Sequence, residues 1–247
     1  MSPRRSVAEA RRTRVDLLER GLAIASVDGL EGLTIGRLAT AAGMSKSGVL
    51  GQFGSKENLQ LAVVDTAATV FAREVTWPVT RSTLPGMPRL LALCAAWVSY
   101  LERGVFPGGC FFTAVASEFD DRGGPVRDAV AALSDMWQHA LRRHVVRATE
   151  DGDLPASTDV DQVVFELTGQ MLALNHALRL SRDRTAADRT RRAMSRLLGT
   201  PLPCTLRAPA AIRGERSQSN DDRLLVIAEA GAHPATTITP AAGSIGR

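Results

Sequence analysis

The chain has 247 residues, of which 45% are hydrophobic and 23% charged, with a formal charge of +4. That length and composition suit a protein able to bury its own core, and the three cysteines (Cys94, Cys110, Cys204) form no CxxC pair, which argues against a disulfide framework or a zinc finger. The longest apolar run, Leu90 to Val98, is too short for a bilayer, and the basic start MSPRRSVAEARRTR has no apolar stretch behind it, so a cytoplasmic protein without a membrane segment is expected.

In chain order, the first feature is charge. Arg4, Arg5, Arg11, Arg12 and Arg14 face a single acid, Glu9, in the first fourteen residues, whereas the next stretch to residue 60 is slightly acidic. This reads as a basic arm in front of the first helix, adding salt-dependent affinity for a polyanion. Val15, Leu18, Leu22 and Ala25 then follow the spacing of one helix face, and Asp28-Gly29 breaks it.

Leu33 to Leu59 reads LTIGRLATAAGMSKSGVLGQFGSKENL. Thr34 can cap a short helix with Ile35, Leu38, Ala39 and Ala42 on its apolar face; Gly43 ends it, and Ser45 can cap a second short helix to about Gly51. Small Ala39, the turn glycine and Val49 meet the needs of two helices crossing closely, so the pattern is a helix-turn-helix, although a plain helical hairpin fits the same three positions. The only two lysines, Lys46 and Lys56, open the second short helix and the helix after it. A cation there opposes the helix dipole, which is poor for stability and good for holding a phosphate.

From about Arg12 to Leu61 the chain resembles the DNA-binding domain of the TetR/AcrR family of bacterial transcriptional regulators. The first amphipathic helix, Gly29-Leu30 with Leu33-Thr34-Ile35, the Ala39/Gly43 pair, Met44-Ser45-Lys46, and Phe53-Gly54-Ser55-Lys56-Glu57-Asn58-Leu59 carry the likeness. The stretches Gly108-Gly109-Cys110-Phe111-Phe112 and Glu118-Phe119-Asp120-Asp121-Arg122 look like a subgroup of that family. The resemblance implies an all-α fold. Residues 1–60 would form a three-helix helix-turn-helix domain and 61–200 a helical ligand-binding and dimerisation domain, about nine helices in all. It also implies a homodimer on a palindromic operator, most simply as a repressor. Thr34, Lys46, Gln52 and Lys56 are expected at phosphates, Ser45 and Ser47 with the backbone near Val49 in the groove, and Arg37 at a base or phosphate. Two departures stand out: Leu50 replaces a frequent tyrosine, and Gln52 a frequent histidine. Gly48 inside the recognition helix costs about 1 kcal/mol against alanine.

Beyond residue 60 the spacing stays helical. Leu90, Leu93, Trp97 and Leu101 form one face, and Val164, Leu167, Met171, Leu174 and Leu178 another, with breaks at Pro78–Pro88, Gly104–Gly109, Gly123–Pro125, Asp151–Pro155 and Ser181–Thr185. Trp97, Phe111, Phe112, Phe119, Trp137, Asn175 and His176 are candidates to line a site for a small, mainly apolar ligand, with aromatic core packing as the plainer reading. Cys110 reads first as a buried inert thiol and second as a redox sensor. Residues 159–182 and 186–199 are the expected dimer helices, because Val163, Val164, Phe165, Leu167, Met171, Leu172 and Leu174 spread over more than one side. Residues 201–247 hold five of the twelve prolines and no aromatic, and are expected to be disordered, with one short apolar stretch at Leu224–Ala228.

Enzymatic signals are thin. No HExxH or GxSxG occurs, and Gly54-Ser55-Lys56 lacks the glycine before lysine of a P-loop. His139 and His144 fall on different helix sides, and Glu118, Asp120 and Asp121 read as a solvated helix end. No enzyme, cofactor or metal site is expected; a helical enzyme or a non-DNA adaptor is the alternative class.

Overall fold

The computed structural model describes residues 7–203. Arg4 and Arg5, Cys204, the bulk of the expected tail and its Leu224–Ala228 stretch lie outside the described residues. Among the described residues every regular element is a helix: α1 (Val7–Gly32), α2 (Ile35–Ala42), α3 (Lys46–Phe53), α4 (Lys56–Phe71), α5 (Trp77–Ser82), α6 (Met87–Glu102), α7 (Phe111–Phe119), α8 (Pro125–Glu150), α9 (Val160–Arg179) and α10 (Ala186–Leu197). A π turn over Ala72–Thr76 joins α4 to α5 without interruption, so these two form one rod and the helices among the described residues number nine.

That rod narrows the expected break at Pro78–Pro88: the helix runs through Pro78 and the next one begins at Met87. Pro78 directly follows the π turn, in which the Trp77 N–H reaches the Ala72 carbonyl, and the chain leaves the helix only at Thr83, which is extended. The basic arm is corrected too. Helix α1 already begins at Val7, so Arg11, Arg12 and Arg14 ride on the helix itself. The expected face of α1 holds at Leu22 and Ala25, which are buried, and at Leu18, partly buried against the core, but Leu17 is buried beside them while Val15 is 51% exposed. The reason is that α1 packs against three partners, α2, α4 and α7, and the side that meets them is set by their positions.

Helices α1 to α3 and the start of α4 share a small core of Leu17, Leu22, Leu30, Leu33, Leu38, Val49, Phe53 and Leu59. In the larger half α6 is the central element. It is buried on nearly every side, from Leu90 through Leu101, and packs against α5, α8, α9 and α10. This explains its continuous apolar run without a membrane; no described helix is long and apolar enough to cross one. Helix α9 is capped by Asp159, whose side chain accepts the N–H of Gln162. It ends before Arg182, the one non-glycine described residue with positive φ.

Candidate nucleic-acid interface

Local chemistry builds the α2–turn–α3 unit. The Thr34 hydroxyl accepts the N–H of Arg37 at 3.1 Å, and Ser45 Oγ accepts the N–H of Gly48 at 3.1 Å. Each cap satisfies an orphan donor of its helix. Gly43 takes φ 62° and ψ 31°, and the N–H of Met44 returns to the carbonyl of Ala39 at 2.9 Å, closing the turn. A Cβ at Gly43 would meet nothing within 4 Å, so glycine is required there by the left-handed backbone, not by crowding. Ala39 and Val49 are buried in the crossing of the two helices.

The outer side of α3 presents Lys46, Ser47, Leu50 and Gly51 to solvent. Leu50 is 45% exposed, an apolar side chain on an otherwise polar face. Lys46 lies back over the first turn of α2: a Cβ on Gly36 would be 3.0 Å from its Cε. The Lys46 ammonium thereby stands beside the first turn of α2, the helix end that Thr34 caps, an arrangement suited to a phosphate.

The other candidate residues are differently placed. Arg37 donates to Asp28 Oδ2 at 2.5 Å and to the carbonyl of Gly32 at 3.4 Å. Lys56 donates to Glu31 Oε2 at 2.9 Å and to the carbonyl of Glu31 at 3.3 Å. That hydrogen bond from Lys56, then one from Gln60, holds the Glu31 carboxyl below its usual range. Gln52 is half-buried, and its carbonyl accepts from Arg14, whose guanidinium stands 4.5 Å from the centre of the Phe53 ring. One arginine of the expected arm is therefore engaged in pinning α1 to the end of α3.

The expected ligand residues do not all converge. Phe71 of α4, absent from the sequence-based set, is the hub of an edge-to-face aromatic cluster. Its ring centre lies 6.3 Å from Trp97, 5.5 Å from Tyr100, 6.1 Å from Phe112 and 5.2 Å from Trp137. Phe111 meets Phe112 edge to face, with ring centres 5.4 Å apart. The indole N–H groups of Trp97 and Trp137 and the Tyr100 hydroxyl are buried without a hydrogen-bond partner, and burial pushes the Tyr100 pKa up. Tyr100, also missed, could have been flagged as the only tyrosine in the chain, three residues after Trp97 on the same helix face.

Phe119 stands apart from this cluster, with the Arg122 guanidinium 5.1 Å from its ring centre. Asn175 is occupied: its Oδ1 accepts the N–H of Cys110 at 2.9 Å. His176 is exposed on the outside of α9 and faces away from the interior. Cys110 is buried and its thiol pKa is raised by that burial, which fits the inert reading. A separate groove of about 410 Å³ lies between α4 and α8, lined by Leu61, Ala62, Val64, Asp65, Ala129 and Leu133, none of them an expected ligand residue. No group of three or more metal-ligating side chains occurs among the described residues.

Along the outside of α9, Phe165, Gly169, Leu172, His176 and Leu180 form one exposed stripe. Phe165 is 72% and Leu180 73% exposed, unusual for side chains of this size in a row.

Residues 17–63 match the family described as bacterial regulatory proteins, tetR family, and residues 86–194 match the tetracyclin repressor-like C-terminal domain. Among solved structures, a TetR transcriptional regulator from Chloroflexus aurantiacus J-10-FL is 25% identical, with TM-score 0.68, covering 78% of this chain and 96% of that one. A TetR-family transcriptional regulator from Cytophaga hutchinsonii is 20% identical, with TM-score 0.68, covering 81% of this chain and 100% of that one. AibR, solved with isovaleryl coenzyme A and operator DNA, is 18% identical, with TM-score 0.60, covering 77% and 99%. No curated protein matches the chain.

Proposed function

We propose, because the chain belongs to the TetR family of transcriptional regulators, that it binds a palindromic operator as a homodimer, represses from it, and leaves it on taking up a small molecule. Members of the family regulate transcription and are not enzymes. The observation that carries the reading is the uncovered outer face of α3, with Lys46 lying over the Thr34-capped first turn of α2. Thr34, Lys46 and Ser45 with Ser47 serve from where they stand. Arg37 and Lys56 reach DNA by exchanging exposed ion pairs, each worth about 0.2–1 kcal/mol, for phosphate oxygens. Gln52 contributes from a half-buried place, and Leu50 supplies apolar contact of the kind a thymine methyl takes.

Two protomers pair through α9 and α10, with the Phe165–Leu180 stripe as the apolar seam of a four-helix bundle. The aromatic cluster around Phe71 is the sensor. Its rings favour an apolar body, and the unpartnered N–H groups of Trp97 and Trp137 favour a ligand that carries a hydrogen-bond acceptor. AibR, in complex with isovaleryl coenzyme A and operator DNA, is a precedent for a small molecule and an operator bound on this fold.

Sequencing genomic fragments retained by the purified protein tests operator binding, and gel-shift titrations of Lys46→Ala and Lys56→Ala test the contacts. Each lost phosphate contact should lower the salt slope by about 0.9. Unchanged affinity and slope would remove both lysines from the interface. Flow-through on non-specific DNA at low salt would favour a helical adaptor or enzyme instead.

A further inference from the structure

The last turn of α1 is not a continuation of the helix. Gly29 has φ 76° and ψ 169°, so a new turn starts at Leu30, and the N–H groups of Leu30 and Glu31 lose the carbonyls a continuous helix would offer. A capping side chain from the preceding residue normally meets such donors, and glycine has none. Glu118, in α7, takes that place from 88 positions away. Its Oε2 accepts the N–H of Leu30 at 2.7 Å and its Oε1 the N–H of Glu31 at 2.7 Å. The fit is reciprocal, since a Cβ on Gly29 would lie 2.6 Å from Glu118 Oε2.

The capped turn is tied to α2 and α4 of the DNA-binding head and to the chain just after α7. The Leu30 carbonyl accepts Gln60 Nε2 at 2.8 Å, Glu31 takes Lys56 at 2.9 Å and Arg122 at 3.6 Å, and Asp28 just before it holds Arg37 of α2. At its other end α7 follows Cys110, whose N–H is held by Asn175 of α9, and begins with Phe111 and Phe112, which enter the aromatic cluster. Nine residues, about 13 Å of helix, thus link the expected dimer helix and sensor to the head. The acidic stretch read from sequence as a solvated helix end is corrected at Glu118, which is half-buried and engaged.

We propose that Glu118 is a positioning residue: its carboxylate sets the DNA-binding head on the sensor domain, and displacement of α7 within the aromatic cluster is passed toward the operator by this capped turn, beside the direct path along α4. The operator consequence rests on the DNA-binding reading; the attachment of the head does not.

The test uses the full chain with Glu118→Gln, which keeps the size but offers one accepting oxygen and sets an amide NH2 against a backbone N–H. Gly29→Ala should act alike by displacing the carboxylate, and Asp120→Asn, an acid of the same helix end whose carboxylate accepts from the N–H of Asp121, is the control. Hydrogen exchange of the Leu30 and Glu31 amides should quicken by about tenfold or more in the first two variants. Operator affinity should fall about tenfold with the salt slope unchanged, because positioning is lost and no phosphate contact is. Exchange unchanged from the parent overturns the proposal. So does faster exchange with operator affinity within about twofold of the parent, or a loss of affinity that comes with a smaller salt slope. If the parent retained no DNA fragment, the DNA-binding reading would fall, and exchange alone would decide whether Glu118 holds the head.

Discussion

Gly108→Ala is the sharpest perturbation that the packing defines. Gly108 lies in the loop before α7 and presses against the backbone of α1, where its N–H donates to Ser26 Oγ at 3.3 Å. A Cβ built on it would stand 1.5 Å from the Ser26 carbonyl oxygen and 2.2 Å from its carbon. Both are main-chain atoms inside a helix, so no side-chain rotation can relieve the overlap. Restoring van der Waals contact requires the loop and α1 to part by about 2 Å, an overpacking that costs about 1–3 kcal/mol. The lost hydrogen bond adds about 1 kcal/mol, for roughly 3 kcal/mol together. In a chain of this size each kcal/mol moves the melting temperature by about 2–4 °C, so a fall of roughly 6–12 °C is expected by circular dichroism. A melting temperature within about 2 °C of the parent would refute the close approach and the account of α1 and α7 built on it.

The opposite sign is expected at Gly51, where a Cβ would meet nothing within 4 Å: Gly51→Ala should stabilise α3 by about 0.5–1 kcal/mol in urea unfolding, and a loss of operator affinity in the same variant would mark close approach of DNA there. His144 is buried, and that burial, aided by Arg89 and Arg143, lowers its pKa to about 4. The unfolded chain therefore binds a proton near pH 6.5 that the folded chain refuses, and stability should fall by about 1.4 kcal/mol per unit as pH drops from there toward 4, about 3 kcal/mol in all. His144→Asn should flatten that part of a stability–pH profile; an unchanged slope would acquit the residue. Phe165→Glu with Leu172→Glu puts two charges into the proposed seam, and sedimentation should show monomer at micromolar concentration; a persistent dimer would place the interface elsewhere.

The helix-turn-helix was legible in the chain because everything that makes it lies within twenty residues. Thr34 and Ser45 cap helices that start at the next residue, Gly43 turns between them, and Ala39 meets Val49 across the crossing. Caps and turns are local hydrogen-bond chemistry, and helical spacing reports which positions share a face. Spacing does not report which way that face points. Val15 was placed inward and is exposed, Leu17 was passed over and is buried, and His176 sits on the outside of α9 instead of at the sensor. Phe71 joins Trp97, Tyr100, Phe112 and Trp137 only because α4, α6, α7 and α8 bring them together. Arg37 and Lys56 carried the right charge for DNA, yet their partners, Asp28 and Glu31, are supplied by the far end of α1. Glu118 shows the division most clearly. In sequence it stands two and three places before the acids Asp120 and Asp121, whereas its bonds go to two amides 87 and 88 positions away, left bare by the positive φ of Gly29. The chain by itself determined the elements and the family, through interactions a few residues long; the tertiary structure decided every pairing between elements, because those depend on how separate helices share one core.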